Sequence, residues 1–149
     1  MTKAQQTQLE KRRAGFEPFF QELMPVLVNF VTLLELPHPH LVLTQAELFL
    51  PTIDEWLRVQ EITPGHQSWL VTRVGYFAGE VLVQKHGGCW QVCDMPESRF
   101  FARYVVGQFQ HGRAGIVVDP FECAAAFCAQ PVGRSLSGLL QTVKSELSG

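Results

Sequence analysis

The hydrophobic pattern of the chain changes period at Gly87-Gly88, and this change constrains the fold more than any other feature. Before the glycines, apolar residues recur at the three- and four-residue spacing of one helical face; they are Leu70, Val74, Phe77, Ala78, Val81 and Leu82. This stripe predicts a helix from Pro64 or Gly65 to about His86, closed by the two glycines. After the glycines, side chains from Cys89 to Cys93 alternate with the period of two that indicates a strand. The chain therefore combines helices with strands.

The N-terminal half predicts further helices. Residues 1–15 are polar and predict a helical or frayed lead-in that ends near Gly15. A strongly apolar helix is predicted from Pro18 to about Leu36, with a kink at Pro25, because proline removes a backbone donor and clashes with the preceding turn. Residues 41–50 leave two alternatives. Either a helix begins at a capping box, or a short extended piece precedes a helix over residues 52–60, and the second is favoured.

The C-terminal half predicts a small sheet. Aromatic and β-branched residues from Phe100 to Phe109 indicate a second strand, and Ile116-Val117-Val118 a third. The segment 111–115 between them is predicted to turn. Connections this short join antiparallel neighbours, so the three strands would form a meander.

Two short helices are predicted to follow the meander. Asp119-Pro120-Phe121-Glu122 has an acidic N-cap, a proline at the first helical position and a glutamate at the third. A last amphipathic helix is predicted from Ser135 through Leu147. The sequence thus predicts a single α+β domain over residues 1–149, with N-terminal helices packed on a small antiparallel three-stranded meander.

Composition narrows the class of function. The chain has 12 basic and 14 acidic residues and a formal net charge of −2. Its one basic cluster is Lys11-Arg12-Arg13, so the clustered positive charge that nucleic-acid binding needs is missing. The polar N-terminus lacks the apolar core of a secretory signal. The most apolar stretch, 23–36, is shorter than the ~20 residues that span a bilayer. We therefore expect a cytoplasmic chain that binds neither nucleic acid nor membrane.

The cysteines do not predict a metal site or another cofactor. Cys89 and Cys93 would lie ~13 Å apart on a strand, and Cys123 and Cys128 would point ~140° apart on a helix. Neither pair chelates a metal well by itself. We interpret the four as small residues that are mostly buried and reduced.

One helical face holds the candidate functional patch. Glu80 follows Gly79 in a dense apolar helix and shares a face with Tyr76 and Arg73. A buried carboxylate can act as a general base, although a half-exposed one more often bonds to a neighbouring loop. The alternative function built on this patch adds a cleft lined by the three tryptophans, Trp56, Trp69 and Trp90. Gly79 and Gly75 also predict that a backbone or a large side chain packs closely against this helix, since each costs ~1 kcal/mol relative to alanine.

The runs Gly75-Tyr76-Phe77-Ala78-Gly79-Glu80 and Gly87-Gly88-Cys89-Trp90, followed later by Asp119-Pro120-Phe121, resemble motifs of a family of small, uncharacterised bacterial α+β domains. The resemblance covers about residues 50–130. The chain departs from the G-x-Y-x-G-E pattern by placing Tyr76 directly after the first glycine. The resemblance implies a bacterial source and no particular activity, and similar small domains occur among toxin-neutralising immunity proteins.

These observations favour a non-catalytic protein–protein interaction module, of the immunity or adaptor type, or a homodimer. The apolar helix from Pro18 to Leu36 carries more apolar surface than a small domain is expected to cover, and such surfaces mark interfaces. No G-x-S-x-G, phosphate-binding glycine loop or H-E-x-x-H motif is present. The alternative is a small-ligand-binding protein or enzyme that uses a cleft around Glu80.

Overall fold

The computed structural model describes residues 1–110, 112 and 114–148. Within them, five α-helices span Lys3–Leu33 (α1), Leu50–Arg58 (α2), Pro64–His86 (α3), Pro120–Cys128 (α4) and Leu136–Ser148 (α5). Two strands span Cys89–Val92 (β1) and Tyr104–Gly107 (β2), and two 3-10 segments, Pro39–Leu43 and Ala46–Phe49, connect α1 to α2. No helix of the described residues is long and apolar enough to cross a membrane.

The predicted three-stranded meander is wrong, because the sheet has two strands. β1 and β2 pair antiparallel, with Cys89 opposite Gly107. The segment 116–118 contributes only Val118, which forms an isolated bridge to Val106 through two 2.8 Å backbone hydrogen bonds. The next residue, Asp119, already caps α4, so the chain leaves the sheet after one paired residue.

The second strand is also shorter than predicted. Ala102 and Gln108 have positive φ angles of 62° and 55°, which bend the backbone on both sides of β2. Positive φ is uncommon for residues other than glycine, and it was not visible in the aromatic pattern of this segment. The turn predicted at 111–115 includes His111 and Arg113, which lie outside the described residues.

The lead-in and the apolar helix predicted near the N-terminus are one helix, α1. It begins at a capping box in which the side chains of Thr2 and Gln5 each accept from the other's backbone N–H. Its polar half is attached to the sheet, because Leu9 is buried and the Tyr104 hydroxyl donates to the Arg12 carbonyl oxygen at 2.8 Å. Such tertiary contacts outweigh the tendency of a single glycine or proline to break a helix, so α1 continues through Gly15.

The extended piece favoured for residues 41–50 is wrong, and a side chain from α3 explains the shape of this segment. Gln84 accepts from the Ala46 backbone N–H at 2.7 Å and donates to the Val42 carbonyl oxygen at 3.1 Å. It therefore satisfies backbone groups that two tight 3-10 turns leave unpaired. α2 then begins at Leu50, with Pro51 in its first turn, where a proline is tolerated.

α3 lies at the centre of the core and confirms the helix predicted from Pro64 to His86. Its two internal glycines make room for aromatic rings. A Cβ added at Gly75 would collide with the Phe121 ring, and one added at Gly79 would collide with the Trp90 ring. The close packing predicted at these glycines is confirmed, and the neighbours are large side chains.

Buried polar groups join α2 to the C-terminal segment. The Asp54 carboxylate accepts from the backbone N–H of Leu136 at 2.7 Å and from the Ser137 hydroxyl at 2.8 Å, at the start of α5. In return, the Arg134 guanidinium donates to the carbonyl oxygens of Leu57 and Gln60 at 2.7 and 2.8 Å. Each segment therefore caps a helix end of the other.

Candidate functional site

Glu80, the centre of the predicted patch, is a buried carboxylate. Its Oε1 accepts a hydrogen bond from the Trp90 indole Nε1 at 3.1 Å, and its Oε2 accepts one from the Gln84 amide at 3.3 Å. Burial raises the pKa of Glu80, and the two hydrogen bonds oppose this rise. Both oxygens are thus engaged by donors of the fold.

Tyr76 and Arg73 lie on the same helix with different neighbours. Tyr76 is 6% exposed and packs edge-on against Phe19 and Phe121. Burial, followed by the nearby charge of Glu22, raises the pKa of its hydroxyl.

The Arg73 guanidinium lies over the indole of Trp69, 4.1 Å from the ring centroid, and donates to the Trp69 carbonyl oxygen at 3.1 Å. Its hydrogen-bond and ring partner is therefore Trp69, whereas the partners of Glu80 are Trp90 and Gln84. Partial burial lowers the pKa of Arg73, and the charges of Tyr76 and Glu22 oppose this. The three residues share a helix face, but their contacts divide between two places.

The three tryptophans divide in the same way. Trp90 is 6% exposed and packs edge-on against Phe19. Trp56 and Trp69 instead line an open groove, and both contact the Phe30 ring edge-on, with centroids 6.3 and 5.9 Å away. The tryptophan-lined cleft of the sequence-based alternative therefore exists with two of its three rings, and Glu80 does not line it.

We call this feature the tryptophan groove. It has a volume of about 620 Å³ and lies where the end of α1, the end of α2 and the start of α3 meet. Its apolar wall includes Leu33, which is 58% exposed, and Trp69, which is 38% exposed. The lining residues are Leu33, Leu34, Trp56, Gln60, Glu61, Gly65, His66, Trp69 and Leu70.

The groove includes the end of the helix from Pro18 to Leu36, on which an uncovered apolar surface was predicted. Most of that surface is covered, since Leu23, Leu27, Phe30 and Val31 are fully buried. Leu33, the last residue of α1, remains exposed beside the two tryptophans. Sequence reasoning named two of the groove's rings, Trp56 and Trp69, but grouped them with Trp90 and Glu80, which do not line it. The excess of apolar residues near the end of α1 was a second signal that pointed towards it.

Among the described residues that line the groove, Glu61 is the one Asp, Glu, Lys or Arg. It is exposed, and no hydrogen bond or ion pair joins it to another described residue. His66, another lining residue, has its Nδ1 3.3 Å from the Thr63 hydroxyl. The groove thus combines apolar side chains with an unpaired negative charge.

The cysteines do not form a second site in the described part of the chain. All four are free; Cys93 and Cys128 are buried, Cys123 is half-buried and Cys89 is exposed. Burial raises the pKa of the Cys123 thiol to about 11, which disfavours the reactive thiolate. Among the described residues, no group of three or more His, Cys, Asp or Glu side chains is placed to hold a metal ion.

No protein-family model matches the chain, and no curated protein or solved structure is detectably similar to it. The resemblance over residues 50–130 to a family of bacterial domains therefore stays a prediction.

Proposed function

We propose that the protein is a non-catalytic interaction module that binds an apolar segment of another protein in the tryptophan groove. The observation that carries this proposal is the exposure of Leu33 and Trp69, side by side with Trp56, in an open groove. Tryptophans in such positions supply a large share of binding energy in protein interfaces.

The packing behind the groove supports this role, because it holds both tryptophans in place before a partner arrives. The Phe30 ring contacts both indoles edge-on, and the Arg73 guanidinium covers one face of Trp69. Side chains that are already ordered lose less conformational entropy on binding, so more of the contact energy appears as affinity. An immunity-type protein or a bacterial adaptor would use such a surface, and so would a homodimer.

The alternative, a ligand site or active centre around Glu80, has less support. Its carboxylate has the raised pKa expected of a general base. However, both of its oxygens accept hydrogen bonds from Trp90 and Gln84, so a substrate would have to displace donors that belong to the core.

Native mass spectrometry on protein purified gently from its own host tests the proposal. We expect a complex with a second polypeptide, or a dimer, for the wild-type chain. Leu33→Asn should weaken that complex by about tenfold or more, as expected for an interface residue close to the tryptophans. Val132→Asn is the matched control, because Val132 is 54% exposed in the loop before α5 and does not line the groove.

A wild-type chain that is recovered only as a bare monomer would contradict the proposal. So would a complex that Leu33→Asn and Val132→Asn weaken equally. A monomer with a small adduct would favour the ligand-binding alternative instead.

A further inference from the structure

We infer that the tryptophan groove selects a partner segment that carries lysine or arginine beside its apolar anchors. The inference rests on the proposed function and names the chemistry of the partner. The occupant it commits to is a helical segment of another polypeptide, with a face of apolar side chains and a basic flank.

The charge distribution around the groove is the first argument. Glu61 lines the groove, and Glu35 follows the lining residue Leu34 directly in sequence. Both carboxylates are exposed, and neither has a hydrogen-bond or ion-pair partner among the described residues. The described residues that line the groove include no lysine or arginine. A partner with positive charge beside its apolar side chains therefore meets complementary potential, which favours specificity and rapid association.

The cations of the described residues that contact groove residues are held by the fold. Arg134 is buried, and its guanidinium donates to the carbonyl oxygens of Leu57, of Gln130 and of the lining residue Gln60. Arg73 lies over the Trp69 ring, where partial burial lowers its pKa and the nearby charges of Tyr76 and Glu22 oppose this. Trp56 has no cation over its ring among the described residues, so an ammonium or guanidinium group from a partner can stack there.

The shape of the groove favours a helix over a small molecule. Pockets that hold small molecules bury most of the ligand surface, whereas this groove is open and its Leu33 wall is 58% exposed. An amphipathic helix binds such a groove through apolar side chains at positions i, i+3 or i+4, and i+7. These anchors would cover Leu33, Trp56 and Trp69 together.

Two synthetic helical peptides of about 16 residues, built on this anchor spacing, test the inference. Both carry the same leucine and phenylalanine anchors; one is flanked by lysines and the other by glutamates. Isothermal titration calorimetry with the full chain should give about tenfold tighter binding of the lysine peptide at low salt, because two exposed carboxylates attract one peptide and repel the other. The preference should shrink at high salt, where exposed charges are screened.

Glu61→Gln should reduce the preference about threefold, as expected when one exposed charge pair is lost. Glu10→Gln is the matched control. It changes the net charge of the chain by the same amount as Glu61→Gln. Glu10 lies on α1, about 35 Å from the end of that helix that lines the groove, at 1.5 Å per residue. This variant should therefore leave the preference unchanged.

The outcomes separate the inference from the proposed function. Equal binding of the two peptides, abolished by Trp69→Ala, would overturn the charge inference and leave the groove as a docking site. A lysine preference that Glu61→Gln does not reduce would overturn the inference as well. Binding of neither peptide, or binding that Trp69→Ala leaves intact, would count against the groove itself and so against the proposed function.

Discussion

Trp90 and Trp69 have similar neighbours, but Trp90 is buried and Trp69 is partly exposed. Each packs edge-on against a phenylalanine, and each has one charged side chain beside it. Trp90 is buried, and its indole N–H donates to the Glu80 carboxylate. Trp69 is partly exposed and receives the Arg73 guanidinium on its ring face. A buried indole needs an acceptor for its N–H, whereas an exposed one can leave that group to water and still offer its apolar body to a partner.

The two regions also differ in how closely side chains pack against a glycine of α3. The Trp90 ring lies directly against Gly79, where no Cβ fits. At Gly65, which lines the tryptophan groove, an added Cβ would meet nothing within 4 Å. The helix backbone at Gly79 is thus in contact with a tryptophan ring, whereas the backbone at Gly65 has free space beside it.

Trp90→Ala and Trp69→Ala should give the largest contrast between the two regions. We expect Trp90→Ala to lower the free energy of unfolding by about 3–5 kcal/mol, because it leaves a cavity in the core and removes the donor to one oxygen of the buried Glu80 carboxylate. Trp69→Ala should lower it by only about 1–2 kcal/mol, from partial burial and the lost contact with Arg73. Urea denaturation measures both. Similar losses for the two variants would break the comparison.

Gly79→Ala and Gly65→Ala should have smaller individual effects on stability than Trp90→Ala, and these effects should be opposite in sign. Gly79→Ala forces a methyl group into the Trp90 ring and should cost about 2–3 kcal/mol. Gly65→Ala adds helix propensity in open space and should stabilise the chain by about 0.5 kcal/mol. Thermal unfolding of the pair tests this, and an equal effect at both positions would show that the packing around Gly79 is looser than described.

Glu80→Gln should give the smallest effect, visible in the pH dependence of stability. Because burial holds the pKa of Glu80 above its usual 4.5, the folded chain binds this proton more tightly than the unfolded chain. The contribution of Glu80 to stability is therefore greatest below the unfolded pKa and falls as pH rises through the folded pKa. The glutamine variant cannot ionise.

The stability difference between wild type and Glu80→Gln should accordingly decline as pH rises above about 4.5 and level off above the folded pKa. Denaturant titrations of both chains from acidic to neutral pH measure this difference. A difference that rises with pH would mean that the hydrogen bonds from Trp90 and Gln84 outweigh burial.

The elements that sequence predicted well are those with local signals. The boundaries of α3 follow from its own apolar stripe and its terminal glycines. The start of α4 follows from the Asp119 cap, whose carboxylate accepts from the N–H groups of Phe121 and Glu122 as predicted. Two short C-terminal helices also follow the sheet, as expected.

The failures all depend on partners that are distant in sequence. The third strand failed because Val118 is followed at once by a helix cap, and the extended piece before α2 failed because Gln84, about forty residues away, fixes its turns. Only two rings of the groove were anticipated, because its wall combines residues 33–34, 56, 60–61, 65–66 and 69–70. No single segment shows that these three ends meet. A buried Glu80 was one of the two alternatives that the sequence left open. Its hydrogen bond from Trp90 could not be predicted, because it depends on how β1 packs against α3.

The exchange of caps between Asp54 and Arg134 has a consequence for how the chain matures on the ribosome. The Arg134 guanidinium, which donates to the carbonyl oxygens of Leu57 and Gln60 at the end of α2, is synthesised 77 and 74 residues after them. At ~5–20 residues per second, this delay lasts roughly 4 to 15 seconds. During that interval the nine residues of α2 lack tertiary contacts that an isolated helix of this length needs. Arg134 then completes its C-terminal end together with the Gly133 N–H, which donates to the Arg58 carbonyl oxygen at 2.8 Å.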